Sequence, residues 1–266
     1  MNTVLTQELL RFNRLTATMK RSLDDLRRAI KGLVLMSADL EAMGRSVALG
    51  RVPLVWSSVA YPSLKPCGPW VADLLKRLAF FQAWQSAGTA PNTYWISGFF
   101  FTQAFITGTL QNYARKHQLP IDTVAFDHAV LRPEEQREAE ANKVADGVVV
   151  WGLFIEGARW EVDAHVLAES RARELFTTMP YLHLLPKLKT DIEAVKGRAD
   201  LCTGEENGTK HVLMCPVYKT SVRQGVLSTT GHSTNFVMFV LLPMAPENTQ
   251  KHWIKRGVAC LCGLDD

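Results

Sequence analysis

The chain has 266 residues and a mass of 29.7 kDa, enough for one large domain or two small ones with a sizeable core. Hydrophobic residues make up 47% and charged residues 21%, a composition that argues against a mainly disordered chain. The net charge of +4 is too small to indicate a nucleic-acid-binding protein, and no apolar run predicts a membrane span or a secretory signal.

The first 31 residues are basic and have a helical apolar period. Their seven Lys and Arg side chains against Glu8, Asp24 and Asp25 give a charge of +4, equal to that of the whole chain. The apolar residues recur at steps of three and four and predict an amphipathic helix over 5–35, with the basic residues mostly opposite. The predicted apolar stripe consists of Leu5, Leu9, Phe12, Leu15, Met19, Leu23, Leu26, Ile30 and Leu33.

This helix has two main interpretations. It either presents its basic face to a larger partner, or it packs its apolar face into its own core and leaves the basic face to solvent. A calmodulin-type or membrane-surface helix is a third, weaker hypothesis.

The rest of the first half also has a helical period. The pattern continues as far as Met43, and residues 51–69 are irregular and rich in proline. Further helices are expected from Trp70 to Gly88 and from about Asn92 to Pro120, the latter through three consecutive phenylalanines. We expect the aromatic residues in or beside the proline-rich stretch to anchor it onto the core. They are Trp56, Tyr61 and Trp70.

The second half changes to a strand period. Residues 134–145 are charged and alanine-rich, which indicates a short helix or a mobile insert. The segments 203–209 and 228–234 are typical of turns. The segments that favour strands are 123–131, 147–156, 181–185, 211–219 and 235–242. We therefore expect an α+β protein, with a helical subdomain over 1–120 and an antiparallel, incomplete β-barrel over 121–266.

Motifs for chemistry are mostly absent. No phosphate-binding loop occurs, since the segment 204–210 has the wrong spacing and carries two acids. Cys260 and Cys262 are interpreted as core thiols, because a zinc site needs further ligands at suitable spacing. The carboxylates Glu156, Glu161 and Asp163 favour a solvated strand edge over a catalytic pair. His232, among neighbouring hydroxyls, favours a turn over a nucleophile with its base.

Several sequence strings, taken in order, resemble the C-terminal domain of dynein heavy chains. Their residues are more similar to those of the axonemal branch than to those of the cytoplasmic one. One of them contains Trp95-Ile96-Ser97-Gly98-Phe99-Phe100-Phe101, and it is the set of eight in order, not any one string, that is specific. The strings span residues 61–66, 70–77, 95–105, 110–115, 152–160, 215–220, 227–235 and 252–259. Residues 134–145 and 203–210 depart from the family pattern, which suggests variable surface segments.

The resemblance implies a non-catalytic part of a longer motor protein. It implies no cofactor in this segment, with ATP and Mg bound upstream in the heavy chain. The implied partners are the AAA+ modules and the linker of the same heavy chain, and microtubules only through the rest of the motor. Nucleic acid and membrane are not expected as partners. The implied location is cytoskeletal, in the axoneme of a cilium or flagellum.

The function expected from this resemblance is a brace across one face of the motor ring that tunes ATP-driven motility. The basic helix is the candidate ring contact, through Arg11, Arg14, Arg21, Arg28 and Lys31. The first alternative is a protein-interaction module for axonemal or adaptor partners. The second alternative is a hydrolase that uses His232.

Overall fold

The computed structural model describes residues 1–196, 211–223 and 233–265, with the side chains of the helix that ends this first range described as far as Ile192. The protein combines helices with several sheets, as the sequence predicts. It divides into two compact units. One contains residues 2–89 and 98–101 with the end of the chain, and the other contains Met1 with residues 90–97 and 102–263. The expected division at residue 120 stays a prediction.

The first unit is helical. Its helices are α1 (Asn2–Ile30), α2 (Ala38–Ala48), α3 (Leu54–Ser57) and α4 (Cys67–Ala87). The predicted helix over 5–35 is too long at its C-terminal end, and its continuation to Met43 is interrupted. Gly32 adopts a left-handed backbone with φ of +71°, and Leu33 donates its N–H to the Arg28 carbonyl oxygen at 2.9 Å. This glycine cap satisfies the last carbonyls of α1 and turns the chain out of the helix.

The core of the helical unit is an aromatic cluster around Phe12, which has no exposed surface. The Phe12 ring lies 5.3 Å from the Phe81 ring and 5.4 Å from the Phe100 ring, measured between centroids. These tilted and edge-on contacts are the arrangements that aromatic quadrupoles favour.

The proline-rich segment is anchored as predicted. Trp56 and Tyr61 each stack on Trp70 at 6.1 Å between ring centroids, and all three side chains are buried. The Arg77 guanidinium lies 3.8 Å from the centre of the Tyr61 ring and is paired with Asp73 at 2.6 Å. Arg77 therefore packs on the aromatic cluster while Asp73 neutralises its charge.

In its described residues, the second unit contains the strands and four further α-helices. The helices are α5 (Thr102–His117), α6 (Pro133–Ala141), α7 (Lys189–Lys196) and α8 (Gln250–Lys255). The strands are β1 (Thr93–Trp95), β2 (Val124–Val130), β3 (Val148–Trp151), β4 (Phe154–Glu156), β5 (Arg159–Glu161), β6 (Val166–Ala168), β7 (Phe176–Thr178), β8 (Leu182–Leu188), β9 (Val212–Tyr218), β10 (Phe236–Pro243) and β11 (Ala259–Leu261).

These strands form three open sheets. One has the order β1-β3-β8-β2, a second has the order β10-β9-β11-β4-β7, and β5 pairs with β6. Most pairings are antiparallel, but β1 pairs with β3 and β11 pairs with β9 in parallel. Because no sheet of the described residues closes on itself, the expected incomplete barrel is not confirmed.

The predicted helix from Asn92 begins ten residues later than expected. Tyr94 pairs in register with Val150, so this stretch is a strand, and α5 begins only at Thr102. The three phenylalanines therefore precede the helix. Residues 134–141 form the predicted short helix as part of α6, which ends before Asn142. Its first turn is closed by the Arg132 N–H donating to the Glu135 carboxylate at 2.7 Å.

The cysteines described in the second sheet are core thiols, as predicted. Cys215, Cys260 and Cys262 are buried, and the sulfur atoms of Cys215 and Cys260 lie 3.8 Å apart. In the described part of the chain, no cluster of His, Cys, Asp and Glu could hold a metal ion. None of the helices in the described residues has the length and apolar character needed to cross a membrane.

Candidate docking surface on the first helix

The apolar stripe of α1 is buried at three positions before its C-terminal end, although Leu23, which lies among them, is 42% exposed. Phe12 and Leu15 have no exposed surface, and Leu26 is buried where it faces Gly44 of α2. A Cβ at Gly44 would lie 3.4 Å from the Leu26 side chain, so the glycine lets the two helices approach closely. For this part of α1 the interpretation as a helix packed into its own core is correct.

The stripe loses its cover near the C-terminal end of α1. Ile30 lies 18 residues after Phe12, which is five helical turns at about 100° per residue and so the same face. Yet Ile30 is 71% exposed where Phe12 is fully buried. Leu33, Leu35 and Met36, in the connection to α2, are 68%, 91% and 41% exposed. We call Ile30, Leu33, Leu35 and Met36 the apolar tip.

Three of the predicted contact residues form one exposed row. Arg14, Arg21 and Arg28 follow each other at intervals of seven, which places them on one face of α1 about 10 Å apart along its axis. Among the described residues, none of the three has an ion-pair partner. We call them the basic row.

Lys31 and Arg11 differ from the basic row. Lys31 is exposed just beyond the end of α1, next to the apolar tip. Arg11 lies three residues before Arg14, so it is turned about 60° toward the core face. Its guanidinium lies 4.8 Å from the centre of the Phe101 ring and 3.8 Å from the Glu8 carboxylate. Arg11 is therefore engaged within its own unit, and its contact with the motor ring stays a prediction.

Glu8 is a buried residue that stabilises the fold, and the sequence pattern did not single it out. Its side chain is fully buried and accepts hydrogen bonds from the backbone N–H groups of Phe100, at 2.5 Å, and Phe101, at 3.0 Å. Burial raises the pKa of the Glu8 carboxyl, although the two N–H groups and the nearby arginines oppose the shift. The available signal was its position four residues from both Val4 and Phe12, on the apolar face.

The burial of Glu8 changes the surface charge of α1. With Glu8 turned inward, Asp24 and Asp25 are the acids that remain on its accessible surface. Six cations remain toward solvent from Arg14 to Lys31: Arg14, Lys20, Arg21, Arg27, Arg28 and Lys31. The helix thus presents a net positive face that suits an acidic partner surface.

The other candidate residues lie in ion pairs, in solvent or outside the described part of the chain. Glu156 pairs with Arg223, and Glu161 pairs with Arg159, so each carboxylate has its own cation. Asp163 is exposed to solvent. His232 lies outside the described residues, as do the segment 203–209 and most of the turn at 228–234.

Comparison with known proteins gives the family. Residues 1–262 match the family of the C-terminal domain of dynein heavy chains. This protein belongs to that family. The match covers almost the whole chain and includes α1 with its basic row and apolar tip.

The similar proteins are axonemal dynein heavy chains. The chain is 50% identical over 268 residues to "Dynein axonemal heavy chain 3" of Mus musculus, and 48% identical over 265 residues to "Dynein axonemal heavy chain 1" of Homo sapiens. It is 48% identical over 265 residues to "Dynein axonemal heavy chain 12" of Rattus norvegicus. Each alignment covers 100% of this chain, but only 6%, 6% and 8% of the respective relatives.

Proposed function

We propose that this domain is a non-catalytic brace within an axonemal dynein heavy chain. It contacts the AAA+ modules and the linker of the same polypeptide and biases their relative positions. ATP hydrolysis with Mg and microtubule binding belong to the rest of the heavy chain, and the motor works in the axoneme of a cilium or flagellum. The observation that carries this proposal is the basic row, which has no ion-pair partner among the described residues.

A brace shifts the equilibrium between two ring states only if it contacts them unequally. An exposed ion pair contributes about 0.2–1 kcal/mol, so three pairs formed in one state contribute roughly 0.6–3 kcal/mol. A difference of that size changes the ratio of two states by about 3- to 150-fold. The basic row is therefore sufficient to tune a motor, and its effect weakens as salt rises.

The test reverses the charge of the basic row in an intact heavy chain that carries this segment. Arg14→Glu, Arg21→Glu and Arg28→Glu together should change gliding velocity and stall force by about twofold or more at low salt. The matched control reverses three exposed cations of the other unit, Arg115, Arg171 and Lys251, and should leave motility unchanged. Wild-type motility in the basic-row variant would reject the proposal.

A further inference from the structure

We infer that the apolar tip inserts into a recess with an apolar centre and a carboxylate rim, on the part of the same heavy chain outside this domain. This inference rests on the proposed function and adds the chemistry of the contact. The observation behind it is the exposure of one short segment. Four large apolar side chains within residues 30–36 are exposed, although the same stripe is buried five turns earlier. A cluster of this kind marks an interaction site in soluble proteins.

The apolar tip is shaped in advance for binding. The left-handed Gly32 ends α1, and the Ser37 Oγ accepts a hydrogen bond from the Leu40 N–H at 3.3 Å to start α2. The tip is thus held between two capped helix ends. Because its backbone is already ordered, less entropy is lost on binding.

Charge beside the tip defines the rim of the recess. Arg27, Arg28 and Lys31 are exposed on the α1 side and have no ion-pair partner among the described residues. On the α2 side, Glu41 is already paired with Arg45 at 2.8 Å. The uncompensated charge around the tip is therefore mostly positive, and carboxylates complement it.

A second copy of this chain does not suit the tip. In a two-fold symmetric contact the partner presents the same mostly positive patch, so the cations Arg27, Arg28 and Lys31 of one copy would lie near those of the other. Like charges that meet in this way repel. A docked copy would thus bury the apolar residues at the expense of bringing three cations together.

A lipid surface suits the tip less well than a protein does. Interfacial helices bury a long apolar face, whereas the apolar residues here occupy a short connection.

A protein recess on the same polypeptide needs little area. The relatives are heavy chains of which the matched segment is 6–8%, so most of each chain lies outside it. Covalent linkage gives effective concentrations in the millimolar range for short linkers, so a contact of four side chains becomes populated.

The experiment is hydrogen–deuterium exchange of the amides of residues 34–36, in the 266-residue chain and in an intact heavy chain that contains it. In the heavy chain these amides should exchange about tenfold or more slowly. Leu33→Ser with Leu35→Ser should return the rate to that of the 266-residue chain. Leu175→Ser, a leucine 74% exposed in the other unit, should keep the slow rate.

Equal exchange rates in the two chains would overturn the inference. So would light scattering that shows a dimer of the 266-residue chain abolished by the double variant, or binding to vesicles of phosphatidylcholine and phosphatidylserine abolished by it. The exchange experiment and the charge-reversal test of the basic row can fail independently of each other. If the tip is unprotected while the charge-reversal variant alters motility, the brace stands and this inference falls; protection with unaltered motility supports the tip contact and rejects the basic row.

Discussion

At the residue scale, Glu8 shows that one charged side chain can satisfy the backbone of a segment distant in sequence. It occupies a position of the apolar face of α1, and its carboxylate accepts hydrogen bonds from the N–H groups of Phe100 and Phe101. These two residues lie in a connecting segment of the same unit, outside any helix or strand. Glu8 therefore satisfies backbone donors that would otherwise be buried without a partner.

We expect Glu8→Ala to lower the free energy of unfolding by about 2–4 kcal/mol. The reason is that two backbone donors lose their acceptor, at about 1–3 kcal/mol each, and partial rehydration recovers some of this. Urea denaturation of the 266-residue chain measures the change. Gln7→Ala, at the exposed neighbouring position, should stay within about 0.5 kcal/mol of wild type. Equal stability of the two variants would show that the Glu8 contact does not stabilise the fold.

The raised pKa of Glu8 predicts a pH dependence. The folded chain binds this proton more tightly than the unfolded chain, whose carboxyl titrates near 4.5. The contribution of the group to stability is therefore largest below that pH and is lost as pH rises through the folded pKa.

The measurement compares the unfolding free energies of wild type and Glu8→Gln between pH 4 and pH 8. The stability of wild type relative to Glu8→Gln should fall as pH rises above about 4.5. A relative stability that instead increases with pH would mean that the hydrogen bonds from Phe100 and Phe101 outweigh burial, and that the folded pKa is lowered.

At the element scale, the junction of β3 and β4 depends on a glycine. Gly152 has φ of +94°, and a Cβ there would collide with the Trp95 ring. Trp95 stacks on Trp151 at 5.8 Å, and Trp151 stacks on Tyr181 at 6.2 Å. The close approach of the backbone lets this aromatic stack cover the sheet where β1 pairs with β3.

Gly152→Ala should destabilise the chain by about 2–5 kcal/mol. A positive φ costs an L-residue roughly 1–2 kcal/mol, and overpacking against Trp95 adds about 1–3 kcal/mol. Thermal unfolding followed by circular dichroism checks the value. Gly68→Ala serves as the control, because Gly68 lies in α4 and a Cβ there meets nothing within 4 Å, so its melting temperature should equal or exceed that of wild type. A Gly152→Ala melting temperature at or above that of wild type would contradict the clash.

At the scale of the whole molecule, the contacts of α5 bear on where the two subdomains divide. Its contacts in the described chain include β2 and β8, and it belongs to the unit that contains residues 102–263. We therefore propose that α5 unfolds together with the strands, although it lies within the first 120 residues.

Native-state hydrogen exchange of the 266-residue chain distinguishes the two boundaries. If the division lies near residue 90, the amides of α5 should share the opening free energy of β2 and β8 within about 1 kcal/mol. If the amides of α5 instead open together with those of α1 and α4, the division near residue 120 is correct.

Much of the architecture was predictable because local periodicity reports which face of an element is apolar. The amphipathic α1, the anchored aromatics at Trp56, Tyr61 and Trp70, and the change from helices to strands all follow from it. The segment before α5 was mistaken for helix, because the pairing of Tyr94 with Val150 joins residues far apart in sequence. A local pattern does not report a distant partner strand.

The sequence by itself determined the family, the amphipathic character of α1 and the sign of its charge. The tertiary structure decided which of its side chains remain available. It turned Arg11 and Glu8 inward, left Arg14, Arg21 and Arg28 in solvent, and uncovered the end of the stripe at Ile30. The physical reason is that burial depends on the neighbours that pack against a face, and helix periodicity repeats whether or not a neighbour is present.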